Sequence, residues 1–364
     1  LTKSMKANMG IMITASHNQY YDNGLKLFGP DGMKLSDNIE KKIEKLIDAK
    51  NSKQLTNPKL LGRVKRLEDG NERYIKILKN NFPKNYNLKG LKIVLDCANG
   101  ATYNIAPNLF SELGHKVITI NNSPDGLNIN KDCGSVDCRN LSKKVLIEKA
   151  DIGFAFDGDG DRLIVVDEKG KEIDGDKILA LLCKKFIKPK NKPNQHDVII
   201  TVMSNMGLEK YLTDKLKLSV KRTSVGDINV INQMKKSKSL IGGEQSGHII
   251  ISNYSTTGDG ILAALKITQI VSSSIYKTSK LFNLYKDFVQ RKLNLKCINK
   301  NQRLIKIIEK LRQNKEFNNA NIRSLVRFSG TEPLIRILVE GKDKNRVKEK
   351  SILIKNLIKD NLGK

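Results

Sequence analysis

The sequence has few aromatic residues: it contains no tryptophan, and only ten phenylalanines and nine tyrosines in 364 residues. Proteins that bind single-stranded nucleic acid use aromatic side chains on which the bases stack. The net charge of +28 would suit nucleic acid, but the lysines are spread along the whole length and form no stripe or tail. We therefore attribute the charge to compositional drift and expect no nucleic-acid partner. A positive field still attracts a phosphorylated small molecule.

Cysteine is also scarce and is not spaced for metal binding. The five cysteines form no Cys-x-x-Cys pair, and Cys133 and Cys138 lack a second pair of Cys or His at ligand spacing. An odd, scattered set of thiols is typical of a reducing compartment, so we expect a cytoplasmic protein. No apolar run reaches the length of a membrane span, and no signal-peptide pattern follows Leu1, so no membrane association is expected.

The most informative stretch is acidic. Asp157, Asp159 and Asp161 alternate with glycine, and Arg162 follows directly. Carboxylates this close repel one another unless a cation lies between them, and hard oxygen ligands suit Mg²⁺ or Ca²⁺. The flanking segments are apolar and β-branched, which predicts two buried strands. The stretch therefore predicts a metal loop between two strands, and the adjoining arginine favours a phosphate nearby.

Two other interpretations of this loop are weaker. An acidic turn without a metal is one of them, because Asp and Gly are ordinary turn residues. A calcium EF-hand is the other, since the three aspartates match its first three ligand positions. That loop needs glycine at its sixth position, where this sequence has Arg162, and helices at its flanks.

The length and the element pattern indicate several domains. From residue 91 onward, strand and helix patterns alternate, which predicts mainly parallel sheets with helices on their faces. The last segment has a different pattern, typical of a small α+β unit. We therefore predict an α/β protein of three α/β units with mixed or parallel sheets, followed by a C-terminal α+β domain. The predicted units are residues 1–88, 89–168, 169–287 and 288–364.

Ser16 and His17 follow a short predicted strand and place a hydroxyl beside an imidazole. A serine among small neighbours can act as a nucleophile or carry a phosphate. A lone Ser-His pair is more often structural than catalytic, so this motif is weak alone. Lys26 adds a cation ten residues after Ser16.

Two further loops carry polar groups suited to a sugar phosphate. Residues 242–248 form a glycine-rich loop with Glu244, Ser246 and His248, which can bind sugar hydroxyls or simply form a polar turn. Residues 327–333 follow a predicted strand, and their hydroxyls, backbone N–H groups and nearby arginines can bind an anion. The residues proposed for that anion site are Arg327, Ser329, Gly330, Thr331 and Arg336.

Residues 14–18, 157–162, 243–248 and 327–333 resemble the four signatures of the α-D-phosphohexomutase superfamily. They occur in the superfamily's order, and the resemblance covers essentially the whole chain. Residues 96–102 and 128–134, together with Gln245, are similar to the bacterial branch that acts on amino-sugar phosphates. The resemblance implies interconversion of glucosamine 6-phosphate and glucosamine 1-phosphate for UDP-N-acetylglucosamine synthesis. The alternatives are the mannose/glucose phosphate branch and an inactive fragment of the same fold.

The resemblance also implies a role for each motif. Ser16 would be the phosphorylated serine, and a phosphate oxygen on it would join Asp157, Asp159 and Asp161 around Mg²⁺. The reaction would pass through a 1,6-bisphosphate, and a homodimer is left open. Lys26 and Arg162 would lie at the transferring phosphoryl group with His17 beside them. The substrate-binding residues would be Glu244, Ser246, His248, Arg327, Ser329, Gly330, Thr331 and Arg336.

The sequence departs from the superfamily's pattern at its beginning. The family's first strand, first helix and Gly-Thr-x-Gly-x-Arg segment are absent, so the resemblance implies an incomplete first domain. Gln19 stands where the family usually has proline, and Ile228-Asn229 where the branch commonly shows Arg-Tyr. An incomplete first domain puts the activity of this chain by itself in doubt.

Overall fold

The first sheet of the computed structural model is a two-stranded antiparallel ribbon, β1 (Gly10–Ile13) and β2 (Leu25–Phe28). The structure describes residues 1–49, 56–82, 90–187, 197–297, 302–329 and 333–362. Ile13 of β1 stays 79% exposed. A two-stranded ribbon has too little buried surface to be stable alone. The helices that follow are α1 (Asp37–Asp48) and α2 (Gly70–Asn80).

The second sheet has five strands in the order β4-β3-β5-β6-β7. Strands β4, β3 and β5 run parallel, while β5, β6 and β7 pair antiparallel. β5 and β6 are buried along their whole length, as their continuous apolar sequences require. The elements are β3 (Lys92–Asp96), α3 (Thr102–Glu112), β4 (Lys116–Ile120), α4 (Arg139–Glu148), β5 (Ile152–Phe156), β6 (Leu163–Asp167) and β7 (Glu172–Ile173).

The third sheet has four strands in the order β11-β10-β8-β9. β8 pairs parallel with both β9 and β10, whereas β10 and β11 form an antiparallel hairpin. The elements are α5 (Gly175–Phe186), β8 (Asp197–Thr201), α6 (Met206–Lys210), β9 (Ser219–Thr223), α7 (Asp227–Ser237), β10 (Ile241–Gly243), β11 (Ile249–Ile251), α8 (Gly260–Ser272) and α9 (Thr278–Phe282).

The C-terminal sheet is antiparallel, with the order β12-β14-β13. Two helices cover it, and their apolar side chains pack with those of the strands in a core of their own. The second and third sheets, by contrast, share one continuous apolar core. The C-terminal elements are β12 (Val289–Lys296), α10 (Gln302–Gln313), β13 (Ile322–Phe328), β14 (Leu334–Gly341) and α11 (Lys344–Lys359).

This architecture agrees with the predicted fold class of α/β units followed by an α+β domain. The predicted metal loop does join two buried strands, β5 and β6. The helical segment after β8 has two parts: α6 ends at Lys210, and the turn Tyr211–Lys215 that follows is a π-helix. No helix within the described ranges is both long enough and apolar enough to cross a bilayer.

Candidate active site

The acidic loop between β5 and β6 brings its three carboxylates together. One oxygen from each of Asp157, Asp159 and Asp161 lies within 4.8 Å of the others. Asp157 is fully buried, and burial together with the charges of Asp161 and Asp159 raises its pKa to about 8. One oxygen of Asp159 and one of Asp161 are buried without a hydrogen-bond partner among the described residues. Such a cluster of hard, under-satisfied oxygens fits a divalent cation.

The two glycines of this loop are required for close approach. A Cβ on Gly158 would lie 2.7 Å from the Ser16 carbonyl oxygen and 2.6 Å from the Asn130 side-chain nitrogen. Gly160 has a φ of +73°, a conformation that favours glycine, and its N–H donates to the Asp157 carbonyl. The glycines therefore allow the loop to curve and let the Ser16 segment reach it.

The predicted serine lies at the acidic cluster although it is distant in sequence. The Ser16 Oγ donates to Asp157 Oδ2 at 3.3 Å, and His17 Nδ1 lies 3.5 Å from the same Oγ. Ser16 has a φ of 57°, and its N–H donates to Thr14 Oγ1. Thr14 Oγ1 in turn donates to Asp159 Oδ2. The side chains of Ser16 and Thr14 thus join the serine loop to the acidic loop by hydrogen bonds.

Positive groups surround the carboxylates. Lys26 Nζ lies 2.5 Å from Asp159 Oδ2 and 2.9 Å from Asp161 Oδ2. Burial alone would lower the pKa of Lys26, but the charges of Asp161 and Asp159 raise it above its ordinary value. The backbone N–H of Arg162 donates to Asp157 Oδ1 at 3.0 Å. Burial, followed by the Arg162 charge, lowers the pKa of His17, which favours a neutral imidazole.

The glycine-rich loop connects β10 to β11 and lies against the acidic loop. His248 forms a β-bridge with Arg162, and its Nε2 lies 3.6 Å from Asp161 Oδ2. Glu244 is buried, and its Oε1 accepts the N–H of Gly226 at 3.0 Å. Ser246 is exposed. The structure therefore brings the serine, acidic and glycine-rich motifs to one place.

The fourth motif lies on the C-terminal sheet. Arg327 of β13 pairs directly with Arg336 of β14. Burial and the neighbouring Arg336 charge lower the pKa of Arg327. Like charges placed opposite each other destabilise a sheet, so this pair favours a bound anion. Ser329 is buried beside it, while Gly330 and Thr331 lie outside the described residues.

Besides Thr14, the polar residues Asn130, Lys34 and Asp227 join the site without having been assigned a role from the sequence. Asn130 donates to the carbonyl oxygens of the serine loop. Lys34 forms an ion pair with Asp227 at 3.0 Å, which links the first segment to α7. A cavity of about 470 Å³ beside the acidic cluster is lined by Lys34 and Asp227 as well as by Lys26. Asn130 lies in a stretch that the family resemblance had singled out, and Asp227 directly precedes the Ile228-Asn229 departure from it.

Comparison with known families identifies the class of protein. Four models of the phosphoglucomutase/phosphomannomutase family match in order: alpha/beta/alpha domain I at residues 1–54, domain II at 72–170, domain III at 174–291 and the C-terminal domain at 293–350. The chain therefore belongs to the phosphoglucomutase/phosphomannomutase family, as the four motifs predicted. Solved structures agree on the fold. A family protein from Burkholderia thailandensis superposes with a TM-score of 0.81 at 22% identity, covering 97% of this chain and 76% of that one.

Individual relatives indicate which branch of the family this chain resembles. A phosphoglucosamine mutase from Azorhizobium caulinodans is 47% identical over 94% of this chain and 76% of its own length. One from Nautilia profundicola is 46% identical over 100% of this chain and 82% of its own length. An Aspergillus fumigatus N-acetylphosphoglucosamine mutase, solved with GlcNAc-6P and magnesium, has a TM-score of 0.76 at 18% identity, covering 97% and 89% of the two chains. The Aspergillus structure agrees on the fold, and the two phosphoglucosamine mutases favour the amino-sugar branch over the mannose/glucose branch.

Proposed function

We propose that this chain is a phosphomutase that interconverts glucosamine 6-phosphate and glucosamine 1-phosphate through a phosphorylated Ser16 and a 1,6-bisphosphate. The observation that carries the proposal is the Ser16 Oγ, 3.3 Å from Asp157 in a cluster of three carboxylates. The amino-sugar preference rests on relatives near 46% identity that are phosphoglucosamine mutases.

The acidic cluster is the proposed Mg²⁺ site. Asp157, Asp159 and Asp161 would hold the ion, and a phosphate oxygen on Ser16 would be a further ligand. The fit rests on the raised pKa of Asp157 and on the buried, unpartnered oxygens of the other two carboxylates. When bound, the ion supplies charge that polarises and neutralises the phosphoryl oxygens.

The surrounding side chains position and neutralise the transferring group. Phosphoryl transfer leaves little covalent work for the protein, so positioning and charge stabilisation dominate. Lys26 and Arg162 place positive charge beside Ser16. In the forward step the bond from phosphorus to Ser16 Oγ breaks as a bond from phosphorus to the sugar oxygen forms, and the proton that the sugar hydroxyl loses ends on Ser16 Oγ. His17, 3.5 Å from Ser16 Oγ, is the group placed to exchange a proton with that oxygen.

The remaining motifs bind the rest of the substrate. Glu244, Ser246 and His248 would bind sugar hydroxyls beside the acidic loop. The non-reacting phosphate would bind the C-terminal sheet at Arg327, Ser329, Gly330, Thr331 and Arg336. One phosphate site must accept both ends of the sugar, because the bisphosphate turns over between the two transfers. A C-terminal unit with its own core suits that task, since it can move as one body.

We also propose a cytoplasmic location. All five cysteines are buried, and burial raises the pKa values of the Cys97 and Cys133 thiols to about 12. Thiols of this kind are inert and need no oxidising compartment.

The test is a coupled assay on the purified chain with Mg²⁺ and a hexose 1,6-bisphosphate as activator. We expect glucosamine 1-phosphate as product, with kcat/KM higher for glucosamine phosphates than for glucose or mannose phosphates. Ser16→Ala should lower kcat at least about 1,000-fold, because the variant lacks the hydroxyl proposed to carry the phosphate. Ser123→Ala, an exposed serine on the loop after β4, is the matched control. Full activity in Ser16→Ala would refute the proposal.

A further inference from the structure

A buried asparagine binds the backbone of the serine loop from the side of the second sheet. Asn130 lies on the connection after β4 and is 3% exposed. Its Nδ2 donates to the Ser16 carbonyl oxygen at 2.9 Å and to the Asn18 carbonyl oxygen at 2.7 Å. Both amide protons are used, and the two acceptors lie on either side of His17.

Asn130 is itself rigidly placed. Its N–H donates to the carbonyl oxygen of Ala98, in the turn between β3 and α3. The buried carboxylate of Asp96 accepts the N–H groups of Ala98 and Gly134. It thereby fixes both the turn at Ala98, to which Asn130 is hydrogen-bonded, and the turn at Gly134, which follows Asn130 in the chain. Asn130 has a φ of 54°, which asparagine tolerates better than most residues. Its side chain is therefore aimed by the second sheet and not by the serine loop.

The serine loop needs an external partner because Ser16 is strained. A non-glycine residue in the left-handed region is strained and stays there only when its surroundings hold it. The hydroxyl of Thr14 holds the N–H of Ser16 from one side. Asn130 holds the Ser16 carbonyl from the other. The absence of a Cβ on Gly158 leaves room for this contact, since a Cβ would meet both Asn130 Nδ2 and the Ser16 carbonyl.

We infer that Asn130 is a positioning residue for phosphoryl transfer, keeping Ser16 in its left-handed conformation with Oγ directed at Asp157. The inference rests on the proposed function and deepens it. Asn130 contacts the backbone of Ser16, and its effect on the reaction passes through the placement of the Ser16 hydroxyl. Side chains that orient a metal-site group typically change activity about 10- to 100-fold when they are removed.

The test compares Asn130→Asp with Asn130→Ala in the mutase assay. Asp keeps the size of Asn but presents an oxygen to two carbonyl oxygens, so it cannot donate to either. A donor role predicts that Asp is at least as damaging as Ala, with kcat lowered about 10- to 100-fold and KM changed less than about threefold. A packing role predicts that Asp restores the activity that Ala loses. Asn128→Ala is the matched control, because the Asn128 amide donates within its own loop to Ser123.

A second variant keeps the inference testable if the Asn130 variants fail to fold. Gly158→Ala leaves Asn130 intact but forces its amide and the Ser16 carbonyl apart, so the same fall in kcat is expected. Wild-type activity is measured first, because its absence would count against the proposed function alone. A crystal structure of Asn130→Asp then decides the inference independently of activity. It is overturned if Ser16 keeps its left-handed φ and its Oγ stays within about 3.5 Å of Asp157, or if active wild type and both Asn130 variants share the same kcat.

Discussion

At the scale of single residues, Lys26 has two opposed effects on the site. Its ammonium group contacts Asp159 Oδ2 and Asp161 Oδ2, on the same two carboxylates whose unpartnered Oδ1 atoms are proposed to bind the metal ion. It therefore repels a divalent cation from the cluster while it neutralises part of the negative charge. The same ammonium group, near Ser16, would stabilise a transferring phosphoryl group. A variant that lacks this ammonium group therefore reveals its effect on metal affinity and its effect on catalysis as two separate measurements.

We predict that Lys26→Met binds Mg²⁺ about tenfold more tightly, because a positive charge near the cluster is lost. The same variant should lose about 100-fold in kcat. Isothermal titration with Mg²⁺ and the mutase assay measure the two effects. Lys34→Met is the matched control for the metal, since that ammonium group pairs with Asp227. Weaker Mg²⁺ binding in Lys26→Met would show that the lysine helps to assemble the cluster.

Which site residues can be predicted from sequence depends on how they are brought together. Asp157, Asp159 and Asp161 follow one another in the chain, so their spacing alone predicts a cluster. Asn130 reaches Ser16 across 114 positions, and Lys34 reaches Asp227 across 193. Such contacts depend on how the sheets pack, which no local pattern contains. Only the family resemblance pointed to the stretch around Asn130, and it gave that residue no role.

At the scale of elements, helix α8 connects the acidic loop to α2. Its N-cap residue, Asp259, accepts the Leu262 N–H at 2.8 Å and the Tyr74 hydroxyl of α2 at 2.6 Å. The N–H of the first helical residue, Gly260, donates to the Gly160 carbonyl in the acidic loop. The beginning of α8 thus contacts the acidic loop through the Gly260 N–H, and Tyr74 of α2 contacts the N-cap residue Asp259.

We predict that Asp259→Ala lowers the free energy of unfolding by about 1–3 kcal/mol, since it removes a helix cap and leaves the half-buried Tyr74 hydroxyl without this partner. Denaturant unfolding of Asp259→Ala, Tyr74→Phe and the double variant gives the coupling between the two residues. Asp343→Ala removes the N-cap of α11 on the C-terminal unit and should cost only about 1 kcal/mol. Additive effects at 259 and 74 would contradict a shared hydrogen bond.

Elements with a continuous apolar sequence could be predicted from the sequence, whereas short or polar elements could not. Ile152–Phe156 and Leu163–Asp167, which flank the acidic loop, are strands as predicted, because both are almost wholly apolar. β10 and β11 have three residues each, too few for a pattern. β12 was missed because it is rich in Lys, Arg, Gln and Asn, and its pairing with β14 alone makes it a strand.

At the scale of the whole molecule, a buried charged junction joins the C-terminal sheet to the third sheet. Arg323 of β13 donates to the carbonyl oxygens of Val202 and Ser204 in the loop after β8, at 2.9 and 3.2 Å. Arg323 also pairs with Glu340 of β14, whose side chain is fully buried. Glu340 accepts the N–H of Met206 at 3.3 Å. These strands also carry Arg327 and Arg336, so the junction sets where the proposed phosphate site lies.

We predict that Glu340→Gln lowers the free energy of unfolding by about 2–4 kcal/mol, because it takes the Glu340 charge away from the half-buried Arg323 guanidinium. Calorimetry should show a separate, earlier transition for the C-terminal unit, which has its own core. Small-angle scattering should show a larger radius of gyration, and KM for the sugar phosphate should rise. Glu316→Gln is the matched control, because its carboxylate pairs with Lys350 within the C-terminal unit but is more than half exposed, so its loss should cost less than about 1 kcal/mol. Equal stability of the two variants would mean that the charged junction contributes nothing to the docking of the C-terminal sheet.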